Sequence, residues 1–104
     1  MRQRQSIKAT VYDRKGHVLA ASFNSYSKTH PAMKNLSERV GRGSVAIYLH
    51  AEVAAIIKAL KVGTPHKIMI ERYGKDGSPM LAKPCAMCEI AIREAGIHFV
   101  EYTC

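Results

Sequence analysis

The stretches His50-Ala51-Glu52 and Pro84-Cys85-Ala86-Met87-Cys88 decide the fold of this 104-residue chain. One imidazole and two thiolates form a ligand set that is typical of zinc. Three protein ligands leave the fourth position of a tetrahedral zinc ion to water, which separates catalytic zinc sites from closed structural ones. The carboxylate comes two residues after the imidazole and is placed beside that water without being needed as a ligand. We therefore predict one Zn2+ per chain, bound by the histidine and both cysteines.

Each motif alone has little specificity. A single C-x-x-C pair occurs in redox and structural sites, and a single H-x-E is uninformative. Together, with a proline before the first cysteine and a helix expected behind each motif, they favour a catalytic zinc site. The alternatives are a closed structural zinc site and a domain that has lost its enzymatic activity.

The two motifs resemble those of the cytidine deaminase superfamily. The deoxycytidylate and tRNA-adenosine branches are the most similar, because position 50 is histidine where the nucleoside-level cytidine deaminases have cysteine. The similarity covers roughly residues 7–103 and is strongest around the metal motifs. It is carried by Leu49–Ile56, Pro84–Cys88, Ala95–Ile97, Val100 and Tyr102.

This resemblance implies roles for further residues. Glu52 would be the catalytic residue that moves protons between water and the base. Asn24 falls where the family places an asparagine that hydrogen bonds the sugar or base of the substrate, and the backbone around Ala51 and Cys85 would contact the base. Asn24 also fits a structural interpretation, because asparagine is common in turns at the end of a strand.

The segment 24–48 is long, polar and basic. A connection of this length in a small domain is usually functional or disordered. We interpret it as a substrate-facing flap with one short helix near residues 31–40. Lys28, His30 and Lys34 are candidate substrate contacts, through phosphate, and the alternative for each is a solvated charged surface.

Composition limits the class of protein. A chain of 104 residues is one small domain, residues 1–104. The formal net charge of +8 favours phosphate-bearing partners, either a small-molecule nucleotide or nucleic acid, although it also fits a cationic surface with no dedicated site. No apolar run approaches 18 residues, so no membrane span is expected. Cys104 is left as an isolated end residue, which argues against a disulfide framework and for a reducing, cytoplasmic location.

Hydrophobic periodicity predicts an α/β fold. The predicted elements are strands 7–12 and 17–23, a helix 49–61, a strand 67–73, a helix 85–95 and a strand 97–102. We expect a minimal cytidine-deaminase-like fold, with a four-stranded mixed sheet in the order 2-1-3-4 and two zinc-carrying helices on one face. Its usual first helix and C-terminal elements are expected to be missing.

Two packing expectations follow from this architecture. The other face of the sheet carries Lys8, Thr10 and Tyr12, which should stay partly wet under segment 24–48 or another subunit, so a homo-oligomer is expected. In the first helix, an apolar stripe is expected at Val53, Ile56, Ile57 and Leu60. Residues two apart in a helix point about 200° away from each other, so the histidine must precede the regular helix.

The favoured function is zinc-dependent hydrolytic deamination of a cytosine nucleotide such as dCMP or CMP to the uracil nucleotide and ammonia. The first alternative is a polynucleotide-editing deaminase that acts on single-stranded DNA or RNA, or on tRNA adenosine. Stacking of its bases would depend on Tyr26, Tyr48 or Tyr73. The second alternative is a non-catalytic, zinc-stabilised module that binds nucleic acid. Glu52 argues against it, because a structural site has no use for that carboxylate.

Overall fold

A computed structural model describes residues 7–24 and 50–104 of the chain. Its elements are β1 (Ile7–Tyr12), β2 (Val18–Phe23), α1 (Ala51–Leu60), β3 (Lys67–Arg72), α2 (Ala86–Glu94) and β4 (Phe99–Tyr102). Each corresponds to a predicted element, with ends that differ by at most two residues. The predicted flap beyond residue 24, including its helix near residues 31–40, lies outside the described residues, as does the region before Ile7 where the first helix was expected to be missing.

The four strands form one mixed sheet. Its order is β2-β1-β3-β4, as predicted from the element order. β1 is antiparallel to both β2 and β3, whereas β3 and β4 are parallel. Each helix therefore connects two parallel strands, since β2 and β3 run in the same direction on either side of β1.

Both helices pack on the same face of the sheet, as predicted. Ala9 is paired with Ile70 and Val11 with Ile68 across β1 and β3, and all four side chains are fully buried. The core that they begin includes residues from both helices: Ala51, Ala55 and Ala59 of α1 and Ile92 of α2.

The predicted apolar stripe of α1 is wrong at its last position, since Leu60 is 55% exposed. Val53 and Ile56 are buried and Ile57 is half-buried. Alanines at every fourth position of the helix are fully buried instead. Their small side chains let the helix axis lie close to the sheet, and Leu60 at the end of the helix points away from that contact.

On the opposite face of the sheet, one of the three side chains that were expected to stay partly exposed to solvent is buried. Lys8 is exposed and Tyr12 is half-buried, but Thr10 is only 6% exposed. Thr10 lies on a central strand, with Ala21 of β2 and Met69 of β3 directly beside it. Neighbours on both sides cover its short side chain, which explains why Thr10 is buried.

A glycine turn ends α2 and directs the chain into β4. Gly96 has φ +77°, in the left-handed region that glycine adopts without strain. Its N–H donates to Arg93 O at 3.1 Å, and Ile97 N–H donates to Ile92 O at 3.2 Å. These two bonds form a Schellman motif with the apolar contact that usually accompanies it.

Neither of the described helices has the length and apolar run that crossing a bilayer requires.

Candidate metal centre

Two helix N-termini supply the candidate ligands. His50 is the residue before α1, with extended backbone angles of φ −78° and ψ 150°, and its carbonyl accepts a bond from Ala54 N–H at 3.0 Å. Cys85 occupies the same position before α2, with φ −73° and ψ 173°. Neither side chain makes a hydrogen bond that caps its helix, so both remain available for other contacts. The prediction that His50 precedes the regular helix is confirmed.

A small apolar cluster holds these two helix ends together. Val53 of α1 packs with Met87 and Cys88 of α2, and all three side chains are almost completely buried. The positive ends of both helix dipoles therefore lie close together, beside His50 and Cys85. The partial positive charge at a helix N-terminus stabilises a nearby anion, so this arrangement suits the thiolate ligands that a zinc ion requires.

The three predicted ligand atoms form a compact triangle. His50 Nδ1 lies 3.3 Å from Cys88 Sγ and 3.6 Å from Cys85 Sγ, and the two sulfurs are 3.5 Å apart. A tetrahedral zinc ion with ordinary bond lengths separates two sulfurs by about 3.8 Å and a sulfur from a nitrogen by about 3.6 Å. The triangle therefore fits one zinc ion. Among the described residues these three side chains form the group that is able to hold a metal ion.

The two thiols differ in acidity because they share a hydrogen bond. That bond, helped by His50, lowers the pKa of Cys85 to about 3 despite the opposing effect of burial. The same bond, together with burial and the charge of Glu52, raises the pKa of Cys88 well above its usual range. Without metal, the shared hydrogen bond therefore favours the thiolate form at Cys85 and the thiol form at Cys88.

Zinc affinity is expected to rise with pH because the metal binds thiolates. Binding should release about one proton from Cys88 and part of a proton from zinc-bound water, whose pKa falls to about 7, so the association constant should rise about tenfold or more per unit between pH 7 and pH 8. Calorimetry in buffers of different ionisation enthalpy measures this number. The Glu52→Gln variant controls for protons released by the neighbouring carboxyl. An association constant that stays constant between pH 7 and pH 8 would contradict binding through thiolates.

Glu52 lies in the first turn of α1 beside this triangle. Its side chain is buried, with 6% exposure, and burial raises the pKa of its carboxyl above the usual range. Its own backbone N–H, the thiol of Cys88 and the charge of His50 act in the opposite direction. Glu52 therefore lies near the metal ligands but is not one of them. Its surroundings increase the proton affinity of its carboxyl group.

Residues 2–104 match the family described as the cytidine and deoxycytidylate deaminase zinc-binding region. The chain belongs to this family. Membership identifies a zinc-binding deaminase domain, and His50, Cys85 and Cys88 are positioned to hold its one metal ion. No curated protein matches the chain significantly.

The predicted substrate contacts of this deaminase domain are only partly described. Ala51 is the first residue of α1 and its side chain is fully buried, so its backbone is the part that remains for a substrate. Asn24 Oδ1 accepts a hydrogen bond from Ile7 N–H at 2.9 Å, and Asn24 N–H donates to Ile7 O at 3.0 Å. Asn24 thus has a structural role at the end of β2, and its contact with substrate stays a prediction. The predicted contacts Lys28, His30 and Lys34 lie outside the described residues.

Proposed function

We propose that this domain is a zinc-dependent hydrolytic deaminase that converts a cytosine nucleotide, dCMP or CMP, to the uracil nucleotide and ammonia. The observation that carries the proposal is the buried Glu52 carboxyl beside a set of three ligands. A structural zinc site closes with four protein ligands and does not need a neighbouring acid, whereas a hydrolytic site needs both an open position and a proton carrier.

Deamination at C4 of cytosine replaces the amino group with an oxygen from water. Zinc, when bound, lowers the pKa of water from 15.7 to about 7 and so supplies the nucleophile at neutral pH. Glu52 accepts the proton of the attacking water and donates a proton to the ring nitrogen N3. It then helps to protonate the departing amino group, which leaves as ammonia. Burial raises the pKa of Glu52 in the metal-free protein, which suits this work, because a carboxyl that both accepts and donates protons is most effective with a pKa near the working pH.

The positive charge of the chain supports a nucleotide, and not a nucleoside, as the substrate. The chain carries a formal charge of +8, and the resulting positive electrostatic potential attracts a phosphate group. Three predicted contacts of segment 24–48, two of them lysines, would bind the phosphate. The backbone around Ala51 and Cys85 would contact the base, at the helix ends that also supply metal ligands.

A substrate panel tests this proposal. Zinc-loaded protein is incubated with dCMP, CMP, dCTP, deoxycytidine and cytidine, and ammonia release is measured, with Glu52→Gln protein as the control. We expect the monophosphates to have kcat/KM at least about tenfold above the nucleosides, because an ionic contact to phosphate contributes about 1.5–3 kcal/mol. Equal rates for nucleosides would contradict the phosphate contact. No turnover of any base by zinc-loaded protein would favour a non-catalytic module.

A polynucleotide substrate is the second candidate. The same positive charge supports it, as does Tyr73, which is 48% exposed directly after β3 and offers a ring for stacking. Conversion of a single-stranded oligonucleotide containing cytosine, or of a tRNA anticodon stem-loop containing adenosine, distinguishes this candidate from the first. Tyr73→Ala should then weaken oligonucleotide turnover and leave dCMP turnover unchanged.

We also propose that this single domain works as a homo-oligomer in the cytoplasm. On the sheet face opposite the helices, Val18 and Phe23 are each 60% exposed and Phe99 is 55% exposed. Apolar side chains on one face favour burial against another copy of the chain. Use of two cysteines as metal ligands fits a reducing compartment. A monomeric mass by light scattering at micromolar concentration would contradict the oligomer.

A further inference from the structure

The connection from β3 to α2 delivers both cysteines to the metal centre, and hydrogen bonds fix its path. Met80 N–H donates to Arg72 O and Ala82 N–H donates to Thr103 O, each at 2.8 Å. Between them, Leu81 O accepts a bond from Arg72 Nη1 at 3.2 Å. Three successive residues of the connection are therefore anchored shortly before the first cysteine.

Thr103, which follows β4, contacts two of these three anchored residues, Met80 and Ala82. Its hydroxyl lies 2.7 Å from Met80 O and 3.2 Å from Arg72 O, and accepts the bond of Arg72 N–H at 3.0 Å. Its own N–H donates to Ile70 O at 3.1 Å, which extends the pairing of β4 with β3. Since a hydroxyl has one proton, the shorter contact identifies Met80 O as its main acceptor.

The anchored backbone leads almost directly to the metal ligands. Ala82 belongs to the main core and Pro84 is buried. The ring of a proline fixes its φ angle, which removes one of the few torsions between the anchor and Cys85. A displacement at Ala82 is therefore passed on to Cys85 Sγ. Metal–ligand distances tolerate only about 0.2 Å of error, so small displacements there affect the site.

We propose that Thr103 and Arg72 are positioning residues of the metal centre. Their contacts with Met80, Leu81 and Ala82 hold the connection so that Cys85 and Cys88 face His50. The inference rests on the zinc site of the proposed function. The test of the inference therefore measures metal binding and not turnover. If the unmodified protein showed no turnover, that result would contradict the proposed function and leave the inference about metal binding intact.

The main test compares two substitutions of Thr103. Thr103→Val keeps the shape of the side chain but leaves Met80 O and Arg72 N–H without their partner. We expect zinc release to a chelator to become about tenfold faster, and the thiolate and ligand-field absorption bands of the Co2+-loaded protein to change. Thr103→Ser keeps the hydroxyl and should restore both properties. Thr64→Val makes the same change at an exposed residue and serves as the control.

A second variant keeps the test decisive should Thr103→Val not fold. Arg72→Met removes the bond to Leu81 O and also removes Arg72 Nε, a buried donor without a partner among the described residues. Zinc release should become several-fold faster while the metal-free protein melts no lower than the original. Unchanged zinc release and cobalt spectra in the folded variants would overturn the proposal. Equal losses in Thr103→Ser and Thr103→Val would overturn it as well.

Discussion

Glu52→Gln protein is expected to bind one zinc ion per chain and to lose about 10²–10⁴-fold in kcat, the usual contribution of a positioned acid and base. Glutamine keeps the size of the side chain but neither accepts nor delivers a proton. Burial raises the pKa of Glu52, which means that the charged form is disfavoured in the folded protein. Removal of that charge should therefore leave the melting temperature of the metal-free protein unchanged or higher.

Three measurements on this variant separate the possible roles of Glu52. Zinc content by atomic absorption, thermal melting and turnover of dCMP are compared with those of the original protein. Activity within about tenfold of the original would mean that another group moves the proton. Loss of zinc would instead make Glu52 part of the metal-holding group, which disagrees with the geometry of the site.

The second large effect is expected from Cys85→Ser, which should remove stoichiometric zinc and all turnover. Zinc binds the folded state and so stabilises it by about 3 kcal/mol or more at a hundredfold excess over its Kd. For a domain of this size that corresponds to about 10 °C or more in melting temperature. Cys85 is the better choice for this test because it is half-buried, whereas Cys88 is completely buried and its replacement would also disturb packing.

Cys104→Ser is the matched control for this experiment. Cys104 is exposed and stands outside the triangle of ligand atoms. Its replacement should leave zinc content, melting temperature and turnover unchanged. If Cys104→Ser lost zinc as Cys85→Ser does, the ion would have a third sulfur ligand and no open position for water.

The sequence predicted the metal centre because its residues lie within two short motifs. A histidine before one helix and two cysteines at the start of another fix most of the geometry locally, so only the docking of the two helix ends depended on the fold. The sheet order was also predictable, because two connections through helices and one hairpin leave few arrangements of four strands.

Other features depend on contacts that a single sequence does not contain. The burial of Ala55 and the exposure of Leu60 follow from how closely α1 approaches the sheet. Thr10 is buried because of its neighbours on two strands that are distant in sequence. The contacts of Thr103 with Met80 and Arg72 were missed for the same reason, because no local pattern links that threonine to the connection before the cysteines.

X-ray absorption at the zinc edge of the purified protein tests the central claim most directly. We predict one zinc ion per chain with two sulfur neighbours at about 2.3 Å and two nitrogen or oxygen neighbours at about 2.0–2.1 Å, one of them an imidazole. This is the pattern of two cysteines, one histidine and one open position taken by solvent. Three or four sulfur neighbours, or a second imidazole in place of the light solvent ligand, would contradict it.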